Sequence, residues 1–237
     1  MPPRQTARER VRAEITREIT DIARGHLAAG GAAGLSLRAV ARDMGMVSSA
    51  IYRYFPSRDD LLTALIIDGY NAIGEAVEAA EAACRRDDYP GRWRAAARAA
   101  REWALAHPHE YALIYGSPVP GYQAPADTSG PASRSAVVFG RLVSDAHAAG
   151  ALAAGALGPA GPARPVPAAL SEDAARLREA VMPGVPDDVV LGALTAWAGL
   201  FGIISFELFG QFTNVVTDRA AYFDHAAGTL AALMGLC

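Results

Sequence analysis

Between Gly34 and Leu62 the chain reads GLSLRAVARDMGMVSSAIYRYFPSRDDLL, and no other stretch restricts the fold as tightly. Leu37, Val40, Ala41 and Met44 recur at helical spacing and give one short helix a buried face. Gly45 breaks that helix, Met46 plugs the corner, and Ala50, Ile51 and Phe55 supply the buried side of the next. Two short helices joined by a few residues, with a small residue at the bend and an apolar corner, form a helix-turn-helix. Ser36 is placed as the N-cap of the first helix and Ser48 as that of the second. The second helix ends near Phe55-Pro56, because the residue before a proline avoids the helical region.

Burying that core leaves Ser48, Ser49, Tyr52, Arg53 and Tyr54 on the outer surface. Short hydroxyls at the start of a helix let its backbone approach a duplex, and a tyrosine hydroxyl can donate to a phosphate oxygen. Arg38 and Arg58 flank the same surface and suit ionic, salt-sensitive contacts. The charge distribution agrees. Residues 1–60 carry a net charge of +3 and the remainder −6, within an overall formal charge of −3. A polyanion is therefore expected to meet the first quarter of the chain alone. All 22 basic residues are arginine, which weakens any argument from a single one.

The rest of the chain also reads as helix, so the expected class is all-α, with nine or ten helices and a domain boundary at Pro56. A first amphipathic helix spans Arg10 to Ala29 and stops at the glycine cluster 30–34. Ser57, with Asp60 three residues on, opens a long helix to about Cys84. Helices follow over 88–107, 109–115, 132–150, 169–181, 187–210 and 217–235. Residues 116–130 form a proline-rich loop, and 155–167, dominated by glycine, proline and alanine, reads as a mobile connection.

In this larger C-terminal part, Trp103, His107, Tyr111 and Tyr115 are spaced to share a face across Pro108, with Phe139 and His147 on the next helix. Trp197 and Phe201 fall on one stripe of 187–210, and Ser205 and Glu207 are polar groups inside that otherwise apolar helix. Such aromatics either fill a core or wall a small-molecule pocket. Val189 to Phe206 carries no charge and reaches the lower length of a membrane span. Its content of glycine, alanine, threonine and serine favours burial against a partner helix instead, so no membrane association is expected. Gly192, Ala196 and Gly199 make a row of small residues that admits a second helix, and Ala220, Phe223, Ala227, Leu230 and Met234 line the last helix as the other half of a dimer interface.

The two cysteines, Cys84 and Cys237, have no metal-ligand spacing. His107-Pro-His109-Glu110 reads as a helix corner, with no distant cluster to complete a coordination set. No metal and no cofactor is expected. There is also no nucleophile elbow, phosphate-binding glycine loop or carboxylate pair, so an enzyme is not expected. The opening stretch MPPRQTARERVRAEITREI lacks the apolar core of an export signal, which points to a cytoplasmic protein.

The stretch from Arg10 to Leu65 resembles the DNA-binding domain of the TetR family of transcriptional regulators. The resemblance rests on Ser36 opening the helix pair, Ala41 and Gly45 carrying the turn, and Tyr52, Tyr54, Phe55 and Arg58 closing the motif. It implies a three-helix helix-turn-helix domain over 1–56 and a larger helical ligand-binding and dimerisation domain over 57–237. It also implies a homodimer on a palindromic double-stranded operator. Ser48, Ser49 and Arg53 become candidates for contacts at or near the bases, Arg38, Tyr52, Tyr54 and Arg58 candidates for the backbone, and Ser36 joins them as a DNA-binding position. Residues 107–125 and 197–210 resemble a ligand-sensing C-terminal class named for a tryptophan-histidine-glycine motif. Trp197 and Gly202 match it, with Phe201 where the name calls for histidine. Together these imply a ligand-responsive regulator, most simply a repressor released by an unidentified, largely apolar small molecule. A DNA-binding activator or architectural protein without a ligand is the alternative.

Overall fold

The computed structural model describes residues 6–152 and 166–236. Ten α-helices and three short 3₁₀ segments make up the regular structure of these residues, with no strand among them. The expected all-α class is what is found. The mobile connection expected over 155–167 falls, apart from its last two residues, outside the described residues.

Local signals explain most helix ends. α1 (Ala7–Gly30) starts three residues ahead of the apolar period because Thr6 and Glu9 form a reciprocal capping box. Gly31 then ends it with φ 63°, a conformation that costs glycine nothing. α2 (Leu37–Asp43) leads into Gly45, whose φ of 66° makes the turn, and the Met46 amide donates to the Ala41 carbonyl at 2.8 Å. α3 (Ser48–Ile51) follows. α4 (Arg58–Ala82) is capped by Ser57, whose hydroxyl accepts from the Asp60 amide at 3.1 Å. α5 (Tyr89–Ala106) stops at His107, and Pro108 is the first residue of α6 (Pro108–Tyr115), where its missing N–H costs nothing. α7 (Ser129–Ala148), α8 (Ser171–Val181), α9 (Asp187–Leu208) and α10 (Arg219–Leu233) complete the chain, with the Asp218 carboxylate capping α10 through the Ala221 amide.

The helices form two compact units. The first comprises the chain to Tyr70 together with His107–Ser129. Its core joins Ile19, Ala23 and Leu27 of α1 to Val40, Ala41, Ile51 and Phe55 of the helix-turn-helix. Leu61, Leu62 and Leu65 of α4 complete it. The three N-terminal helices bury too little surface alone, so they take the first half of α4 into their core.

The second unit comprises Asn71–Ala106 and the described residues from Gly130 onward. Here α5, α9 and α10 pack on one another and α8 packs on α9. Trp93, Ala97, Val190, Leu200, Ile204, Phe223 and Ala227 are all buried. α9, with a mean hydropathy of 2.0, is long and apolar enough to cross a membrane by length and composition. Its buried face is nevertheless packed by other helices of the same unit.

Candidate functional site

In the first unit, α2 and α3 present a polar surface built on a buried underside. Leu37, Val40, Ala41 and Ile51 point inward, which forces Arg38, Arg42, Ser48, Ser49, Tyr52 and Arg53 outward. These exposed side chains lie on the helix-turn-helix itself, as expected for all but Arg42. Arg42 sits one helical turn after Arg38 on the same face, a spacing that was available in the sequence.

Three expectations about this surface change. Ser48 is not the cap of α3 but its first residue; Val47 holds the cap position, with φ −65° and ψ 135°, and makes no side-chain capping bond. Ser36 does hold the cap position of α2, with φ −140°, yet its hydroxyl makes no capping bond either. Arg58 is not a free cation beside the groove. Its Nε donates to the Leu35 carbonyl at 3.2 Å and an Nη to the Ala32 carbonyl at 2.7 Å, so it ties the start of α4 to the link between α1 and α2.

Tyr54 is half-buried beneath the Arg12 guanidinium, which lies 5.2 Å from its ring centre and donates to the Arg53 carbonyl at 2.9 Å. That stack braces the end of α3 against α1. His26 of α1 meets Asp43 at 2.7 Å at the end of α2, and this hydrogen bond is the main cause holding the Asp43 carboxyl below its usual range.

The second unit contains a cavity of about 190 Å³ walled by α5, α7, α8, α9 and the end of α10. Its lining includes Trp93, Phe139, Val143, Leu177, Met182 and Trp197, all apolar or aromatic. The Trp93 and Phe139 rings meet edge to face, 5.1 Å between centres, and the Trp93 indole donates to the Ala227 carbonyl at 2.8 Å. The Trp197 indole nitrogen is buried with no hydrogen-bond partner among the described residues. α7 and α8 approach closely at Gly140, where a Cβ would lie 2.5 Å from the Val181 carbonyl oxygen. Leu194, 44% exposed, belongs to the lining and marks where the cavity meets the surface.

Of the ten candidate ligand contacts, Phe139 and Trp197 line this cavity, and the others do not. Phe201 is buried beside Trp197, with ring centres 5.0 Å apart. Trp103 is buried in the second unit, and His147 and Ser205 are half-buried there. Glu207 is committed elsewhere: the Arg101 guanidinium grips its carboxylate with two hydrogen bonds of 2.6 and 2.7 Å. Trp103 belongs to the second unit, and His107, Tyr111 and Tyr115 belong to the first. Tyr111 is fully buried there and packs on Tyr115, which meets Tyr70 edge to face. Trp93 was missed, because its helix offers no local sign of which neighbours its ring will meet.

The expected dimer residues are largely turned inward. Gly192, Ala196, Phe223, Ala227 and Met234 are buried within the unit. Gly199 faces the half-buried Leu230 of the same chain, 3.0 Å from where its Cβ would be, so the helix that the small-residue row admits is the chain's own α10. Ala220 alone of that set is exposed. The opposite stripe of α9 carries Leu194, Thr195, Ala198, Phe206 and Phe209 outward, uncharged throughout, and α10 exposes Ala221, His225, Gly228 and Ala232.

Comparison with known proteins agrees with this arrangement. Residues 19–65 match the family described as bacterial regulatory proteins, tetR family, and residues 93–230 match the tetracyclin repressor-like C-terminal domain. The chain is 42% identical over 234 residues to the HTH-type transcriptional regulator Rv1816 of Mycobacterium tuberculosis, covering 98% of this chain and 95% of that one. The HTH-type transcriptional regulator Mb1846 of Mycobacterium bovis matches to the same degree. Among solved structures, regulatory protein SCO4313 matches with a TM-score of 0.73 and 36% identity, over 95% of this chain and 98% of that one. A protein of unknown function from Rhodococcus sp. RHA1 matches with a TM-score of 0.65 and 25% identity, over 98% and 95%. The helix-turn-helix surface, the larger helical unit and these matches together place the chain in the TetR family of DNA-binding transcriptional regulators.

Proposed function

We propose that this regulator is a homodimeric repressor, held on a palindromic operator and released by a small, neutral, largely apolar molecule that occupies the cavity of the second unit. Residues 1–56 read the DNA, and 57–237 sense the ligand and hold the dimer. Ser48, Ser49 and Arg53 face the bases, while Arg38, Tyr52 and the α2 end contact the backbone. Arg58 and Tyr54 act by bracing those groups, which follows from their bonds to Leu35, Ala32 and Arg12. The two subunits meet through the uncharged outer stripe of α9 and the small-residue face of α10. The sensing part resembles the tryptophan-histidine-glycine class through Trp197 and Gly202.

The observation that carries the sensing reading is the cavity. An apolar cavity of about 150 Å³ is enough to hold one benzene, so about 190 Å³ suits a single ring with a short substituent. Among the described residues no charged side chain lines it, and burying an ion against them would go uncompensated. Leu194 belongs to both the lining and the outer stripe of α9, so a guest adjoins the proposed subunit contact. A guest needs to shift the balance between two packings by only about 1–3 kcal/mol to change operator occupancy.

The test uses isopropylbenzene and benzoate, two probes of matched size that differ in charge. Isopropylbenzene is expected to alter tryptophan fluorescence of the wild type and to weaken its binding to a selected duplex. Benzoate is expected to do neither. Trp197→Ala should keep DNA binding and lose most of the response, because the reading surface is in the other unit. No response to either probe, or an equal response to both, would remove the neutral, apolar guest.

A further inference from the structure

Val47 stands out in the helix-turn-helix because two independent features of it run against stability. It occupies the N-cap of α3, a position where serine, threonine, aspartate and asparagine are strongly preferred and valine is among the poorest choices. Thr6, Ser57 and Asp218 cap α1, α4 and α10 through their side chains, while α6, α8 and α9, behind His107, Leu170 and Pro186, have no side-chain cap. The poor cap at Val47 is therefore shared, and its exposure on the reading surface is what sets it apart. At α3 the hydroxyls of Ser48 and Ser49 come one and two residues too late to serve. The misfit is not offset by burial. Val47 is 72% exposed, more than the other exposed large apolar side chains of its unit, Val11 at 55% and Tyr52 at 42%.

The surroundings limit what such a side chain can meet. Val47 precedes the exposed Ser48 and Ser49, at the leading end of the helix that a helix-turn-helix protein lays in the major groove, where the first residues lie nearest the base edges. The flanking exposed side chains from α2 to just past α3 are Arg38, Arg42, Asp43, Ser48, Ser49, Tyr52 and Arg53, all hydrogen-bonding. The apolar feature that the major groove displays is the 5-methyl group of thymine. We propose that Val47 is a specificity-determining residue that packs its branched side chain against a thymine methyl, one in each half-site. The proposal rests on α3 being the reading helix.

Deoxyuridine differs from thymidine at that methyl alone, which makes the contact separable from all others. Full-length wild-type protein is used to enrich duplexes from a random pool, and the enriched duplex is resynthesised with deoxyuridine at each thymine in turn. One symmetry-related pair of positions should lose about fourfold in affinity per half-site, the value of one methyl-sized apolar contact. Val47→Ser should lose a similar factor on the thymine duplex and be indifferent to deoxyuridine at that pair. Selection with Val47→Ser should relax the preference at that base pair alone. Thermal melting of Val47→Ser should be unchanged or raised, since serine restores a cap, which excludes unfolding as the cause of lost affinity. Wild type that is indifferent to deoxyuridine everywhere, or Val47→Ser that remains as sensitive as wild type, would overturn the contact. Wild type that enriches no duplex would overturn both the contact and the assignment of α3 as the reading helix.

Discussion

At the scale of single residues, the two tryptophans of the cavity are chemically alike and differ in what their indole nitrogens meet. Trp93 donates to the Ala227 carbonyl, whereas the Trp197 nitrogen has no partner among the described residues. Trp93→Phe should therefore cost about 0.5–1.5 kcal/mol, the net value of one hydrogen bond, because the Ala227 carbonyl keeps its place in the α10 ladder. Trp197→Phe should be close to neutral, because the donor it removes was unsatisfied. Urea denaturation of the two variants checks this, and equal losses would contradict it. The arginines of the reading surface divide in the same way. Arg38→Ala should lower the salt slope of DNA binding by about two, as expected on losing one phosphate contact in each half-site of the dimer. Arg58→Ala should weaken binding with an unchanged slope and lower the melting temperature, since its guanidinium already holds the Leu35 and Ala32 carbonyls. A slope change in Arg58→Ala equal to that in Arg38→Ala would return it to the phosphate backbone.

At the scale of elements, α5 is fastened by charge as well as by packing. Arg92, nearly fully buried, bonds Glu81 at the end of α4 and Asp145 of α7. Arg98 grips Asp224 of α10, and Arg101 grips Glu207 of α9. Glu207→Ala should cost about 3–5 kcal/mol, because it strands the Arg101 charge in a largely buried setting. The exposed pairs matter mainly through pH. Hydrogen bonds from Arg98 and Arg134 hold the Asp224 and Glu78 carboxyls below their usual range. Their stabilisation is thus complete above the ordinary carboxylate pKa of about 4 and is lost as pH falls through the lower folded values. Melting temperatures measured from pH 7 downward should stay level to about pH 5 and then fall. Arg98→Ala should make the acid limb shallower. Where α7 meets α8, Gly140→Ala would press a methyl on the Val181 carbonyl, so it should cost about 1–3 kcal/mol and displace a wall of the cavity.

At the scale of the whole molecule, the outer stripe of α9 decides assembly. Ala198→Glu places a charge at the centre of that stripe, on a residue already exposed in one chain. It should leave monomer stability within about 0.5 kcal/mol while shifting sedimentation at micromolar concentration from dimer to monomer. A variant that still sediments as a dimer would move the interface elsewhere. Gly199 is the wrong residue for this test: a larger side chain there meets the chain's own Leu230 and disturbs α9 against α10 before any partner is involved.

What the amino-acid order determined by itself was local. The helix start at Ser57-x-x-Asp60, the turn at Gly45, the break at Pro108 and the outward set Arg38, Ser48, Ser49, Tyr52 and Arg53 all follow from interactions within a few residues or from one unambiguous apolar period. The tertiary structure decided the rest, because the relevant partners are far apart in the chain. Nothing near Trp93 announces the Ala227 carbonyl, and nothing near Arg101 announces Glu207. The two faces of α9 show the reason most plainly. From Val189 to Phe206 the sequence has no charge, so its period has no polar side to mark as outer. Gly192 and Ala196 look no different from Ala198 until α10 packs against one side and leaves the other bare.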